Sequence, residues 1–567
     1  MKSRSFVLSA IILALGGFLS KAIGALYKIP LTNILGSNGM GLYYLVFPVY
    51  SLIITFCSSG INVALSTEVA KCRRARHRYN EQKVLRTALM LSFLLSLIFT
   101  VIIVLISRPL ADLQGNINAS FGYIAIAPAI ILSSIIATLR GYFQGVENMV
   151  PTTISMIIEQ VVKLSVGLII AHKLCVYGIQ FAVLGAIMGV TISEVVALLI
   201  IAINFFTYKG QLYFNYRNKI YKGKRKAIVT SLLKSRNCFK RAVYYRYKYL
   251  LCASKKVRYT TKVAIKKILK VMVPATFSSI VIPIATMLDS FMIINLLISS
   301  GYSSVVSTSL YGLWGGVVQA LISLPTILIA GLSTAIVPSL SGVVAGDNEG
   351  QVNKKVMFYI KITLVLSLFM CIAVFVFAED ILRFLYGDGL NSNVLDELYY
   401  ATKMLKISSI SIVYYAFLQT FTAILQTIGK SHIPFLILLG SLGVRLGLTI
   451  ILVTIPNINI FGAIIGNISF LALSTILLSL FIRKYIELEY SLFRNLIMPI
   501  VVAVTDMVVV IMIHKGLKLI VNYFVSMIIS AVIGAIIYLI WVYFSKIFED
   551  GEKRKFFQRK KKLSKQP

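Results

Sequence analysis

GIQFAVLGAIMGVTISEVVALLIIAINF (178–205) runs straight into FTYKGQLYFNYRNKIYKGKRKAIVTSLLKSRNCFKRAVYYRYKYLLCASKKVRYTTKVAIKK (206–267). The first stretch holds one charged residue, Glu194; the second, continued to Lys270, carries twenty Lys and Arg and no Asp or Glu. A bilayer core needs about 20 apolar residues per helical crossing, so the chain leaves a membrane near residue 205 and stays in water until about residue 268. Working outward, apolar segments recur at roughly 5–27, 40–66, 86–106, 119–143 and 152–172 before this point. They recur at 268–299, 309–336, 356–378, 402–427, 433–455, 459–482, 495–514 and 520–545 after it. The expectation is an all-α polytopic membrane protein of about fourteen transmembrane helices. Its divisions are 1–205 with six spans, the basic insert 206–267, 268–482 with six more, 483–546 with two, and a basic tail, 547–567.

The composition, 58% hydrophobic with mean hydropathy +0.86, excludes an ordinary soluble domain. The net charge of +37 suggests a nucleic-acid binder until its distribution is read. Lys and Arg gather in alternate loops: 67–86 holds Lys71, Arg73, Arg74, Arg76, Arg78, Lys83 and Arg86, and the tail ends in Arg559, Lys560, Lys561, Lys562 and Lys565. The loops between are near neutral or, at 379–397, net acidic. By the positive-inside rule both termini and the insert are cytoplasmic, with position 237 inside and position 391 outside. Anionic membrane lipids are the expected partner of the insert, not nucleic acid. Lys2 and Arg4 before the first apolar run resemble a signal peptide, but Lys21 and Lys28 follow without a small-residue cleavage site, so an uncleaved first helix is expected. Six scattered cysteines and four scattered histidines show neither a disulfide framework nor a metal motif, and no cofactor is implied.

Ionisable residues inside spans are costly and normally face a cavity or a partner. Here these are Glu68, Glu159, Glu194, Asp289 and Asp506 against Lys21, Lys28, Arg140, Lys163, Lys361 and Arg445. Glu159 and Lys163, four apart, are spaced to pair on one helix face. Lys21, Lys28 and Arg140 outnumber the acids left to neutralise them, so they form a candidate anion site. Asp289 and Arg445 are expected to neutralise one another, which requires the seventh helix to bend at Pro283. Pro48, Pro128 and Pro325 are the other candidate bending points.

Five segments now carry a family resemblance: SKAIGALYKIPLTNILGSNGMGLYYLVFPVYSL (20–52), LRGYFQGVENMVPTTISMIIEQVVK (139–163), VPATFSSIVIPIATMLDSFMI (273–293), YGLWGGVVQALISLPTILIAGLSTAIVPSLS (311–341) and LQTIGKSHIP (425–434). In this order the chain resembles the oligosaccharidyl-lipid and polysaccharide flippases of the MATE-like (MOP) superfamily, in the MurJ-like branch that includes stage V sporulation proteins B. The resemblance implies two pseudo-symmetric six-helix lobes around a central cavity, two appended helices, and a place in a bacterial cytoplasmic membrane. It implies export of a lipid-linked oligosaccharide diphosphate from the inner to the outer leaflet without enzyme chemistry, with envelope-synthesis proteins as possible partners. It places Lys21, Lys28 and Arg140, with Glu159 and Lys163 beside them, at the diphosphate, Lys21 standing where Arg is more usual. Some members hold Na⁺ through an aspartate at the position of Asp289; the eleventh span here has no acid and carries Arg445 instead. The alternatives are a MATE-type cation-coupled exporter, which wants intramembrane carboxylates, and a membrane glycosyltransferase or polymerase. The latter would need Glu379, Asp380, Asp388, Asp396 or Glu397 in a loop expected to be a solvated acidic one.

Overall fold

A computed structural model describes residues 2–75, 77–223, 259–344, 349–387, 396–430, 432–486, 496–545 and 547–548. The expectations for residues 224–258 of the insert, for positions 237 and 391, and for the tail beyond 548 lie outside these residues. Every regular element described is helical, as a bilayer demands of a chain whose backbone groups have no water to bond.

The helices begin with α1 (Lys2–Leu26) and α2 (Lys28–Ile54). These belong to one apolar run from Ile12 to Arg74, 63 residues long, and the run is two crossings. Gly24 of α1 lies beside Gln160 and Tyr27 beside Gly167, so α1 runs parallel to α7 (Val150–Leu174); beyond Gly36, Gly39 meets Val183 and Gly122 meets both Val46 and Ile187, so the chain now runs back, parallel to the returning α8 (Ile179–Gly223). The reversal sits at Gly36, φ 64°, where only a residue without Cβ turns freely. A π-turn at Thr55–Ser59 joins α2 to α3 (Gly60–Arg74). Then come α4 (Arg78–Leu105), α5 (Ser107–Leu113) and α6 (Ser120–Gly145), and with α7 and α8 the first six crossings are complete.

The second group opens with α9 (Thr261–Ser299). Next, α10 (Ser304–Gly312) passes through a π-turn at Leu313–Val318 into α11 (Gln319–Val344). It continues with α12 (Glu349–Val376), α13 (Ala378–Tyr386), α14 (Glu397–Ser408), α15 (Ser411–Thr427), α16 (His432–Val453) and α17 (Phe461–Tyr485). α14 and α15 meet at 41° and make one broken crossing. α18 (Met498–Lys518) and α19 (Tyr523–Phe544) form the appended pair. Among the described residues the fold is therefore two six-crossing lobes and two further helices.

Three expectations change. The sixth and seventh spans end in long helical extensions, to Gly223 and from Thr261; leaving the membrane is a matter of polarity, and Lys- and Arg-rich sequence still propagates a helix. Pro48, Pro128 and Pro283 lie within continuous helices, while the breaks fall at Gly36, the π-turns and the α14–α15 joint. In the described part of the acidic segment, 379–387 and 396–397, two of the acids are not solvated. Asp380 is buried, bonded by His514 Nε2 at 2.7 Å and Lys518 Nζ at 2.7 Å, with Ser526 Oγ 3.0 Å from His514 Nδ1. Glu397 is buried too and accepts from Ser37 Oγ. The first cluster clamps the appended pair to the second lobe, helped by the Tyr538 hydroxyl donating to the Val365 carbonyl at 2.9 Å.

The lobes meet at the face that carries residues 33–37, 113–120, 385–387 and 396–397. A Cβ on Gly312 would lie 2.0 Å from the Ser37 carbonyl oxygen, and one on Gly41 2.1 Å from that of Thr308, so backbone touches backbone. Gln114 Nε2 donates to Ser290 Oγ at 3.0 Å, Asn116 Nδ2 to Thr308 Oγ1 at 3.2 Å and Asn33 Nδ2 to the Leu385 carbonyl at 3.0 Å. At the opposite face, where Lys71, Arg73, Arg78 and Lys262 stand, α3 touches α9 through Gly60 beside Thr276 and Met272. We call the first face the far face and the second the basic face.

Candidate functional site

Between the lobes lies a cavity of about 340 Å³. Lys28, Tyr44 and Phe47 line it from the first lobe; Asp289, Trp314 and Arg445 line it from the second. Asp289 is held by α9 and Arg445 by α16, and the two form an ion pair, each under a tenth exposed. The guanidinium also stands 5.5 Å from the Phe470 ring centre, and its Nε has no hydrogen-bond partner. On the other wall the Lys28 ammonium stands 5.2 Å from the centre of the Tyr44 ring. An aromatic face attracts a cation but leaves its donors free.

The first-lobe charges sort differently from their spacing. Glu159 does not take Lys163. Arg140 reaches it from α6, Nη2 to Oε2 at 2.7 Å, and also bonds Ser155 Oγ at 2.9 Å; Gln160 Nε2 donates to the other carboxylate oxygen at 2.9 Å. The i,i+4 interaction is worth only a few tenths of a kcal/mol. A planar guanidinium with several fixed donors competes better for one carboxylate than a point-charge ammonium. Lys163 turns instead to aromatic rings, 5.3 Å from the centre of Tyr27 and 4.7 Å from that of Phe47, so it lies one ring behind the cavity wall. Glu194 lies within 3.5 Å of the Tyr50 hydroxyl, which itself lies 3.4 Å from Ser133 Oγ.

Lys21 is exposed and does not line the cavity. It lies seven residues before Lys28, nearly two helical turns or about 10 Å along the same face of the helical run that passes from α1 into the start of α2. Thus Lys28, Asp289 and Arg445 come together in the cavity and Lys163 stands just behind it. Arg140 and Glu159 neutralise one another, and Lys21 is apart. Among the described residues no group of three His, Cys, Asp or Glu is placed to hold a metal ion, and the carboxylate of Asp289 is engaged by a guanidinium. The sequence reading missed the aromatic lining, Tyr44, Phe47 and Trp314 above all. Its signal was present in the motifs YYLVFP (43–48) and YGLWGG (311–316), where aromatics interrupt aliphatic runs.

Comparison with known proteins follows the same division into halves. The polysaccharide biosynthesis protein family matches residues 6–235, and the MatE family matches residues 274–451. Stage V sporulation protein B of Bacillus subtilis is 25% identical over 502 residues, 87% of this chain and 86% of that protein. Among solved structures, lipid II flippase MurJ in an inward closed conformation superposes with TM-score 0.65 at 16% identity, over 94% of this chain and 98% of that one. An inward-facing multidrug resistance transporter of the MATE family gives TM-score 0.65 at 17% identity, over 82% and 94%. With its two six-crossing lobes and its interlobe cavity, the chain has the fold of these MATE and MurJ structures, and its two halves match the polysaccharide biosynthesis protein and MatE families of membrane transporters and flippases.

Proposed function

We propose that the protein is a flippase that carries an undecaprenyl-diphosphate-linked sugar precursor of the cell envelope from the cytoplasmic to the outer leaflet by alternating access. The observation that carries this reading is the sign of the cavity's first-lobe wall. Lys28 and, behind Phe47, Lys163 rest on aromatic rings instead of carboxylates, which leaves ammonium donors for an anion. Oxygens of a diphosphate accept from Lys28, and Lys163 adds its field through the ring. Arg140 is spoken for by Glu159 and positions α6 against α7. Lys21, on the Lys28 stripe and exposed, meets the diphosphate on its way in. Arg445 is the second-lobe cation, held in place by Asp289 until the ligand's charge competes for it. The cavity falls at the lower end of small-molecule sites, ~300–1,000 Å³, so it takes the diphosphate and adjoining sugar, and a longer glycan needs the lobes to part.

The basic face is cytoplasmic on this reading. The closed far face then makes this the state that precedes outward release. A diphosphate diester carries about two negative charges, and an interior-negative potential of 100 mV drives each outward by about 2.3 kcal/mol, so no nucleotide hydrolysis is needed. Nothing in the route breaks a covalent bond.

The test is reconstitution in proteoliposomes with a fluorescent undecaprenyl-diphosphate sugar and an impermeant quencher. The intact protein should move the label between leaflets unchanged, Lys28→Ala should abolish the movement and Lys28→Arg should keep it. Movement of cationic dyes but not of the lipid would replace this reading with that of a drug exporter. Normal flipping by Lys28→Ala would remove Lys28 from it.

A further inference from the structure

Above the level at which α9 leaves its apolar surroundings, three exposed lysines stand on one face: Lys262, Lys266 and Lys270. They are spaced i, i+4, i+8, which at 100° per residue keeps them within about a quarter of the helix circumference and spreads them over about 12 Å. With Ile265 and Leu269 they line a cleft of about 480 Å³. The same face continues downward as apolar surface, with Leu269, Val273 and Phe277 at 40%, 44% and 54% exposure. The opposite face, Ala264 and Ile268, is buried against the first lobe. Lys267, off the stripe, is taken by the Tyr259 ring and hydroxyl. None of the three stripe lysines has an acidic partner among the described residues. The acids of the adjoining helices are engaged elsewhere, Glu68 by Lys71 at 2.8 Å and Glu81 by the Tyr142 hydroxyl at 2.9 Å.

We propose that this stripe is a binding site for an anionic phospholipid of the leaflet at the basic face. The match is to an amphiphile: the phosphate-bearing headgroup lies across the three ammonium groups and an acyl chain runs down Leu269, Val273 and Phe277. A soluble acidic partner would use the lysines and leave the continuous apolar half unexplained. A zwitterionic lipid would match the apolar half but supply no net charge for three cations. The site is about α9 alone and is independent of the transported substrate. It bears on the transport cycle because α9 also carries Asp289 into the cavity.

The experiment is native mass spectrometry of the full chain, titrated with phosphatidylglycerol or phosphatidylcholine. A basic residue near an anionic surface is worth about 1 kcal/mol, or about fivefold. The variant Lys262→Gln, Lys266→Gln, Lys270→Gln should therefore retain phosphatidylglycerol some 10- to 100-fold more weakly, with phosphatidylcholine unchanged. The corresponding triple Lys→Arg variant should retain it fully, which separates loss of charge from loss of fold. A control with the same charge removed elsewhere on the basic face, Arg74→Gln, Lys83→Gln, Arg86→Gln, should lose much less. Equal retention of the two lipids by the intact protein overturns the proposal. So does a stripe variant that binds phosphatidylglycerol as the intact protein does, or one that loses no more than the control.

Discussion

Changing Asp289 to Asn keeps the side-chain volume but removes the anion that Arg445 faces. Both residues are under a tenth exposed and both come from the middle of long helices. Arg445 already has one unpartnered donor at Nε, so no spare acceptor stands ready to replace the carboxylate. Breaking a buried pair from one side costs about 3–5 kcal/mol, most of it the uncompensated charge left behind. At about 2 °C per kcal/mol for a large chain, the melting temperature in detergent should fall by about 6–10 °C. Arg445→Gln should cost a similar amount by stranding Asp289. The double change leaves two neutral amides and should recover part of the loss, with an interaction energy of about 1–3 kcal/mol. The readout is thermal unfolding of the four proteins in one detergent, with flipping measured beside it. On the proposed role of the pair, Asp289→Asn should also bind a diphosphate lipid more tightly than the intact protein, because its competitor for Arg445 is gone. Replacing Na⁺ by K⁺ at fixed membrane potential should leave transport unchanged. Fully additive losses, or strict dependence on Na⁺, would refute the reasoning.

Three other changes probe other parts of the structure. Gly312→Ala puts a methyl group 2.0 Å from a backbone oxygen of α2, which a backbone cannot yield. It should hold the far face open and raise thiol labelling of a cysteine placed at Asn33, and unchanged labelling would show that the contact is not the gate. Arg140→Gln should lower stability by stranding Glu159, whereas Lys163→Met, which loses only ring contacts, should keep stability and lose flipping; the reverse pattern would exchange their roles. Asp380→Asn removes the acceptor shared by His514 and Lys518, and should loosen α18 and α19 enough to raise protease cutting near residue 520 without unfolding the lobes.

The sequence by itself determined the class of the molecule and the order of its crossings. An apolar run of some 20 residues has one low-energy solution in lipid, a helix, and a run of twenty cations without an acid cannot enter lipid at all. These are local properties, legible wherever they occur, and they divided the two lobes at the basic insert. The pairing of Asp289 with Arg445 was also legible, because few charges are buried and a stranded one is expensive. The tertiary structure alone decided which neutralises which when several candidates compete. Glu159 has Lys163 one turn away on its own helix, yet goes to Arg140, nineteen residues distant, because α6 and α7 bring a forked donor to it. The acidic segment 379–397 reads as a solvated loop, yet buries Asp380 under the appended helices and Glu397 against Ser37 of the other lobe. Spacing along a chain reports what a side chain can reach on its own helix. What reaches it from another helix depends on rotation and depth, and those are set by the packing of small residues such as Gly41, Gly60 and Gly312, whose role appears only when the opposing backbone is in place.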